Sequence, residues 1–224
     1  MAQIRKDKLT TNYYYHIYNR SIAGFTIFNK KAEYKRMLQL ISLYCLKNFS
    51  YSYSYFMNRT KKEQHKILKS IKLDEKIVSI ISFCLMPTHI HLILKQNTDS
   101  GISIFMSKIL NSYARYFNSA HKRNGPLWAG RFKNVLIRTD EQLLHLTRYI
   151  HLNPTSAGLM EKPEQWDYSS YKEYLGQATK TNICEKENLF DFTPKAYKKF
   201  TENRKEYQRE LSKIKSFLID NCNG

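Results

Sequence analysis

The run from Phe83 to Lys95 constrains this chain more than any other stretch. It contains Met-Pro-Thr-His-Ile-His-Leu-Ile-Leu, an apolar segment interrupted by two histidines, and this pattern predicts a buried β-strand. Side chains alternate between the two faces of a strand, so His89 and His91 project from one face and Ile90 from the other. The sequence therefore predicts two imidazoles side by side on a rigid element.

Such a histidine pair is compatible with a metal site. Neutral imidazole is the commonest protein donor to a divalent metal, and a strand holds two of them in a fixed arrangement. The alternative is that His89 and His91 are simply two half-buried or surface histidines. A third ligand from another part of the chain would favour the metal site.

The segment from Tyr149 to Pro154 offers that third ligand. If residues 141–153 are helical, Tyr149 and Asn153 lie one turn apart on the same face, with the amide at the end of the helix. A hydroxyl nucleophile beside a metal site that accepts oxygen ligands is suited to attack on a phosphodiester. The alternative is that Asn153 caps its helix before Pro154.

The charge of the chain predicts an anionic polymer as its partner. The 224 residues include 37 Lys and Arg against 19 Asp and Glu, a formal net charge of +18, which is more than solubility requires. The 17 tyrosines and the 14% aromatic content offer flat faces on which unpaired bases can stack. This combination is typical of proteins that bind single-stranded nucleic acid, although many of these rings must also form the core.

Residues 121–133 combine basic side chains, aromatic rings and turn-forming glycines, which suits contact with phosphates and bases. The alternative is that Trp128 and Phe132 pack in the core and only the charges face DNA; the two interpretations are compatible. His16, in the first predicted strand, is interpreted as a structural or DNA-facing histidine; the alternative is that it approaches the histidine pair. The candidates for nucleic-acid contact in the whole chain are Arg20, Lys108, Arg115, Lys122, Arg123, Trp128, Arg131, Lys133 and Arg138.

The cysteines and the apolar runs predict a cytoplasmic protein without a membrane partner. Cysteines at 45, 84, 184 and 222 have no CxxC spacing, which is typical of reduced thiols. No run reaches the roughly 18 consecutive apolar residues of a membrane span, and the sequence after Met1 lacks the apolar core of a signal peptide. A structural zinc site is excluded because it would need four closed ligands, usually thiolates.

Three motifs, in order, resemble those of the single-tyrosine HUH transposases, most closely the REP-associated tyrosine transposases. They are the Met-Pro-Thr-His-Ile-His-Leu-Ile-Leu run, the Gly-Pro-Leu-Trp-Ala-Gly-Arg-Phe-Lys segment and the Arg-Tyr-Ile-His-Leu-Asn-Pro run. The resemblance extends from about Tyr13 to Tyr174. It implies an α+β fold of the ferredoxin-like split βαβ type, an antiparallel sheet with helices packed on it. The order of predicted elements agrees with that fold. It is strand, helix, two strands, helix and strand.

The resemblance also implies a reaction. His89, His91 and Asn153 would hold Mg2+ or Mn2+, and Tyr149 would attack single-stranded or hairpin DNA to give a 5′-phosphotyrosine and a free 3′-OH. A second 3′-OH could then rejoin the strand, as DNA transposition requires. We expect the protein to act as a monomer or homodimer. The alternative is a domesticated relative of the same fold that binds DNA or RNA without cutting it. A nuclease without a covalent step would have little use for Tyr149.

We expect residues 1–178 to form the transposase domain, with residues 48–75 inserted into it, and residues 179–224 to form a basic helical tail. The insertion is basic and rich in tyrosine, so it either grips DNA or is a solvated excursion from the fold. The tail has apolar residues at heptad-like spacing from Tyr197 to Leu218. This pattern suits docking on the domain, pairing with another chain or contact with DNA.

Overall fold

The computed structural model describes residues 7–177, 182–186 and 192–203. Its elements in chain order are β1 (Tyr14–Arg20), α1 (Lys31–Tyr44), α2 (Tyr53–Met57), α3 (Lys61–Lys69), β2 (Val78–Met86), β3 (His89–Gln96), α4 (Gly101–Ala120), β4 (Lys133–Ile137), α5 (Asp140–Ser156), α6 (Tyr171–Tyr174) and α7 (Pro194–Glu202). Short 3-10 turns at Ile22–Gly24 and Pro163–Gln165 complete the set described.

The four strands form one sheet in the order β2-β3-β1-β4, and all three neighbouring pairs are antiparallel. After β1 the chain passes through α1 to β2 and leaves room between them for β3, which is the split βαβ arrangement. The predicted ferredoxin-like α+β fold is confirmed. The histidine strand β3 lies in the middle of the sheet.

Alternation along the strands gives the sheet two different faces. One face carries Ile90 and Leu92, which are fully buried and face the layer formed by α1 and α4. Gln96 belongs to the same face, and its side-chain oxygen accepts a hydrogen bond from the backbone N–H of Ile102 at the start of α4. The opposite face carries His89 and is covered by α5, which contacts β2, β3 and β4. The site of interest therefore lies between β3 and α5.

A tight turn at Pro87 and Thr88 joins β2 to β3 as a hairpin, because Met86 pairs directly with His89. Backbone bonds hold the tip of this hairpin: the N–H of Ser21 donates to the carbonyl oxygen of Thr88 at 2.9 Å, and another bond reaches the carbonyl of Pro87. These bonds hold the beginning of β3 beside the end of β1.

The helix α5 begins where the sequence predicts but ends later. The Thr139 side chain caps it by accepting a hydrogen bond from the N–H of Gln142 at 3.1 Å, the usual role of a threonine before the first helical residue. The helix then continues through Asn153 and Pro154 to Ser156. The N–H of Ala157 donates to the carbonyl oxygen of Asn153 at 2.9 Å, so the turn closes in spite of the missing donor and the ring of Pro154. Asn153 therefore lies in the last turn of α5, and the alternative that it caps the helix is wrong because the capping residue is Ala157.

The segment 48–75 connects α1 to β2 and is attached by aromatic side chains. Tyr53 and Phe56 of α2 are buried, and the N–H of Tyr53 donates to the hydroxyl of Tyr44 in α1 at 2.9 Å. Farther along the chain, α7 packs against α5. The tail positions beyond residue 203, Leu218 among them, lie outside the described residues. Within the ranges that the structure describes, each helix is too short or too polar to cross a membrane.

Candidate active site

His89 and His91 lie side by side at the start of β3, beneath α5. Their ring centroids are 5.0 Å apart and the rings are nearly perpendicular. His91 is buried, with 4% of its surface exposed. Burial, together with the neighbouring His89 and His16, lowers the pKa of His91 well below its usual value. His91 is therefore neutral at physiological pH and suited to donate a lone pair to a metal.

The same ring nitrogen of each histidine has a hydrogen-bond partner within the fold. His89 Nδ1 lies 2.9 Å from Thr88 Oγ1, and His91 Nδ1 lies 3.0 Å from His16 Nε2. A metal bound by this pair would therefore use Nε2 of each ring. Outer hydrogen bonds of this kind accompany metal-ligating histidines because they fix the orientation and tautomer of the ring.

Two tyrosine rings contact His91. Tyr149, the predicted nucleophile, extends from α5, and its ring centroid is 6.1 Å from that of His91 with the planes at 89°. Tyr18 of β1 stands opposite His91 in the strand register, also with a centroid distance of 6.1 Å. Each tyrosine is 9% exposed. The two are thus matched in distance to His91 and in burial, and they differ in their elements and in ring angle, which is 28° for Tyr18.

His16 and Tyr18 were not selected from the sequence as site residues. The alternation of Tyr14, His16, Tyr18 and Arg20 along β1 is visible in the sequence and indicates that they share a face. Which strand lies beside that face is a matter of long-range pairing, and the pairing of β1 with β3 places them against His91.

Asn153 lies one helical turn after Tyr149 on the same face of α5. Its Nδ2 atom is buried and has no hydrogen-bond partner among the described residues. The oxygen and nitrogen of an amide are told apart only by their partners, so either can occupy this position. A buried amide without a partner is unfavourable unless a ligand completes it.

The donor types present fit a catalytic divalent ion. Across the described part of the chain, no group of three or more His, Cys, Asp or Glu is arranged to hold a metal. A third protein ligand beside His89 and His91 would therefore be of another type, and the Asn153 amide on the helix of Tyr149 is suited to it. Mg2+ and Mn2+ both accept amide oxygen, and two imidazoles with an oxygen leave positions open for substrate.

Basic side chains lie on the same face as the histidines. Arg20 is exposed and stands opposite His89 in the register of β1 and β3, and Lys133 at the start of β4 is exposed and stands opposite Tyr18. Arg131 precedes Lys133 in the loop and is exposed as well. These three predicted contacts place positive charge at the histidine end of the sheet.

The loop between α4 and β4 is fastened to this end of the sheet. The N–H of Ala129 donates to the carbonyl oxygen of Arg20 at 3.0 Å, and the N–H of Ile22 donates to that of Leu127 at 2.9 Å. Trp128 packs half-buried near Tyr113, and its indole N–H donates to the carbonyl oxygen of Leu110 at 3.1 Å. The contacts of Trp128 within the fold are therefore those of a residue packed against the core, as the alternative interpretation expects.

Other predicted contacts lie elsewhere. Arg115, Lys122 and Arg123 line a cavity of about 480 Å3 at the C-terminal end of α4, on the helical layer that covers the other face of the sheet. Lys108 of α4 donates through Nζ to the carbonyl oxygen of Phe49 at 3.2 Å. Arg138 lies at the far end of β4, with Nη2 3.8 Å from an oxygen of Asp7. The predicted DNA-contacting residues therefore do not form one continuous surface with the histidines.

Another side of α5 is secured by α7. The Tyr197 hydroxyl lies 2.7 Å from His151 Nδ1 and donates to Thr147 Oγ1 at 2.9 Å. Burial lowers the pKa of His151 to about 3, so this histidine stays neutral in the folded protein. His151 Nε2 lies 2.7 Å from Ser170 Oγ. His151 therefore has a structural role that holds α5 in place.

Comparison with known proteins finds transposases that are similar in sequence or in fold. Residues 44–153 match the family model "Transposase IS200 like". A Haemophilus influenzae protein described as "Putative REP-associated tyrosine transposase" is 29% identical over 101 residues, 41% of this chain and 57% of that relative. The chain thus matches little more than half the length of this relative.

The fold is shared with a solved structure of a REP-associated tyrosine transposase bound to a REP hairpin. The two align with a TM-score of 0.54 over 87% of this chain and 96% of that chain, at 15% sequence identity. An identity this low supports likeness of fold alone. Residues 44–153, just under half of the chain, thus resemble the IS200-like transposase family, and the chain is similar in sequence to a REP-associated tyrosine transposase.

Proposed function

We propose that this protein is a transposase that cleaves and rejoins single-stranded DNA through a covalent 5′-phosphotyrosine at Tyr149, with His89, His91 and Asn153 as ligands of Mg2+ or Mn2+. The observation that carries the proposal is the packing of the Tyr149 ring against His91 at 6.1 Å. A protein that only binds DNA has no need of a phenol packed against a pair of imidazoles from a distant element.

The residues of the chain would bind and orient the DNA. Arg20 and Lys133 supply positive charge beside the histidines, where the scissile phosphate would lie. A divalent ion held there would stabilise negative charge on the phosphate oxygens as a Lewis acid. The Tyr149 oxygen would bond to phosphorus as the bond to the 3′ oxygen breaks, so that the phenol loses its proton and the 3′ oxygen leaves as a hydroxyl.

Rejoining is the reverse of this step. The phosphotyrosine conserves the energy of the phosphodiester, so the 3′-OH of another strand can attack it and release Tyr149 without ATP. Hairpin-bearing single strands at repeat sequences are the substrate we propose, since a relative of the same fold binds a REP hairpin. In this proposal residues 1–178 form the catalytic domain, with 48–75 as an insertion and 179–224 as a helical tail, acting as a monomer or homodimer.

The test uses a hairpin-bearing oligonucleotide labelled at its 3′ end. Attack by tyrosine leaves the protein on the 5′ phosphate of the downstream piece, so the label should migrate with the protein on a denaturing gel. Tyr149→Phe should abolish this adduct and leave DNA affinity nearly unchanged, because the change removes one oxygen and no charge.

Tyr18→Phe is the matched control, because Tyr18 has the same exposure and the same centroid distance to His91. It should keep the adduct. Loss of the adduct in Tyr18→Phe but not in Tyr149→Phe would assign the nucleophile to β1. Tight binding by the unmodified protein with no adduct in Mg2+ or Mn2+ would favour the alternative that the protein binds without cutting.

A further inference from the structure

We infer that His16 is a positioning residue that selects the tautomer of His91 in which Nε2 carries the lone pair for the metal. The inference rests on the proposed function, because it concerns the metal-bound form of the same site. His16 itself touches neither the metal nor the DNA in this account, and acts only through His91.

The geometry between the two rings is that of a strong hydrogen bond. His16 Nε2 and His91 Nδ1 are 3.0 Å apart, the ring centroids are 5.2 Å apart and the planes differ by 5°. The centroid separation exceeds the nitrogen separation by about the width of one ring. The two imidazoles therefore lie edge to edge in a common plane and share a proton along the line that joins them.

The two rings cannot easily leave this arrangement. His16 is fully buried, with Tyr18 at a centroid distance of 5.3 Å and Tyr149 at 6.5 Å, the latter perpendicular to it. The bond runs diagonally across the pair of strands, since His16 stands opposite Ile93 and Tyr18 stands opposite His91. In a buried environment, without water to compete, such a bond is worth more than at the surface.

Only one proton arrangement of this bond permits metal binding. If His91 donates from Nδ1 to His16 Nε2, the His91 Nε2 atom keeps its lone pair. If His16 donates instead, the proton of neutral His91 is on Nε2 and that atom cannot be a ligand. His16 as acceptor therefore fixes the tautomer that the proposed metal site requires, which is the usual role of the outer partner of a ligating histidine.

A near-isosteric pair of variants separates this role from packing. His16→Gln keeps an acceptor at the reach of Nε2, whereas His16→Met keeps the length and removes the acceptor. Calorimetric titration of the full chain with Mn2+ should show an affinity about 10- to 100-fold lower for His16→Met, with His16→Gln close to the unmodified protein. Equal affinity of the unmodified protein and a folded His16→Met variant would overturn the inference, as would an equal loss in both variants.

Gln96→Met is the control for loss of a buried acceptor on β3, because Gln96 faces α4 and accepts from Ile102. It should leave Mn2+ affinity unchanged. His89→Ala tests the metal site itself: if the unmodified protein and His89→Ala bind Mn2+ alike, the proposed metal site fails. If His89→Ala weakens binding and His16→Met does not, only the role of His16 fails.

Nitrogen NMR of the imidazoles tests the inference without any substitution. In the metal-free unmodified protein, His91 should already carry its proton on Nδ1, with Nε2 unprotonated. A proton on His91 Nε2 in that state would overturn the inference even if the His16 variants do not fold, and it would leave the proposed metal site to the His89→Ala test.

Discussion

Replacing Asn153 with alanine should make the metal-free protein more stable and its metal site weaker. Asn153 lies within the last turn of α5, and its buried Nδ2 has no partner among the described residues. A buried donor left unsatisfied costs about 1 to 3 kcal/mol, and alanine exceeds asparagine in helix propensity by about 0.6 kcal/mol. Part of this gain is offset by the packing contacts that the amide loses.

We therefore expect the free energy of unfolding of metal-free Asn153→Ala to rise by about 1 kcal/mol. For a urea slope of about 2 kcal/mol per molar, the midpoint would move up by about 0.5 M. Mn2+ affinity, measured by calorimetry on the same sample, should fall because an oxygen donor is lost. DNA cleavage should then need a higher metal concentration.

Thr155→Ala is the control for helix propensity, since Thr155 lies in the same turn and its hydroxyl donates only to the local carbonyl of Leu152. It should leave Mn2+ affinity unchanged. A capping asparagine would give the opposite sign, with stability lower by about 1 kcal/mol and metal affinity intact. That result in Asn153→Ala would refute the placement of the amide in the metal site.

Two further predictions concern DNA binding and the attachment of α7. Arg20→Ala should weaken single-stranded DNA binding and lower the magnitude of the slope of log affinity against log salt by about 0.7. Arg138→Ala is the control, because the Arg138 guanidinium lies beside Asp7, and it should change neither quantity. Equal effects of the two variants would contradict the placement of DNA at the histidine end. Tyr197→Phe should lower the free energy of unfolding in urea by about 2 kcal/mol, because it leaves the buried Nδ1 of His151 without its partner, and a loss below about 0.5 kcal/mol would contradict a structural bond there.

The contact between α7 and α5 gives part of the predicted tail a defined place. Tyr197 reaches the helix of the proposed nucleophile two residues from Tyr149, through His151, while Thr147 accepts from the same hydroxyl. Buried hydrogen bonds of this kind fix a helix against rotation. The position of the Tyr149 ring over His91 thus depends on the interior of the domain and on a helix that follows it in the chain.

Local periodicity was sufficient to predict the main strands and helices of the fold and which candidate residues share a face. Alternation along β3 requires His89 and His91 to share a face, and helical spacing requires Tyr149 and Asn153 to share another. The order of strands and helices follows from the same local rules, because each element depends on residues close in sequence. The central place of β3 instead depends on its pairing with β1 and β2.

Long-range pairing decided the rest. The register between β1 and β3 brings His16 and Tyr18 against His91, and no spacing within either strand contains that information. Tertiary packing also places Arg20 and Lys133 beside the histidines and Arg138 at the far end of β4. From the sequence, all three are simply basic residues, and their distance from the histidines is not visible. The continuation of α5 through Pro154 was likewise missed, because a proline is an obstacle in local rules but removes only one hydrogen bond in a helix held by its neighbours.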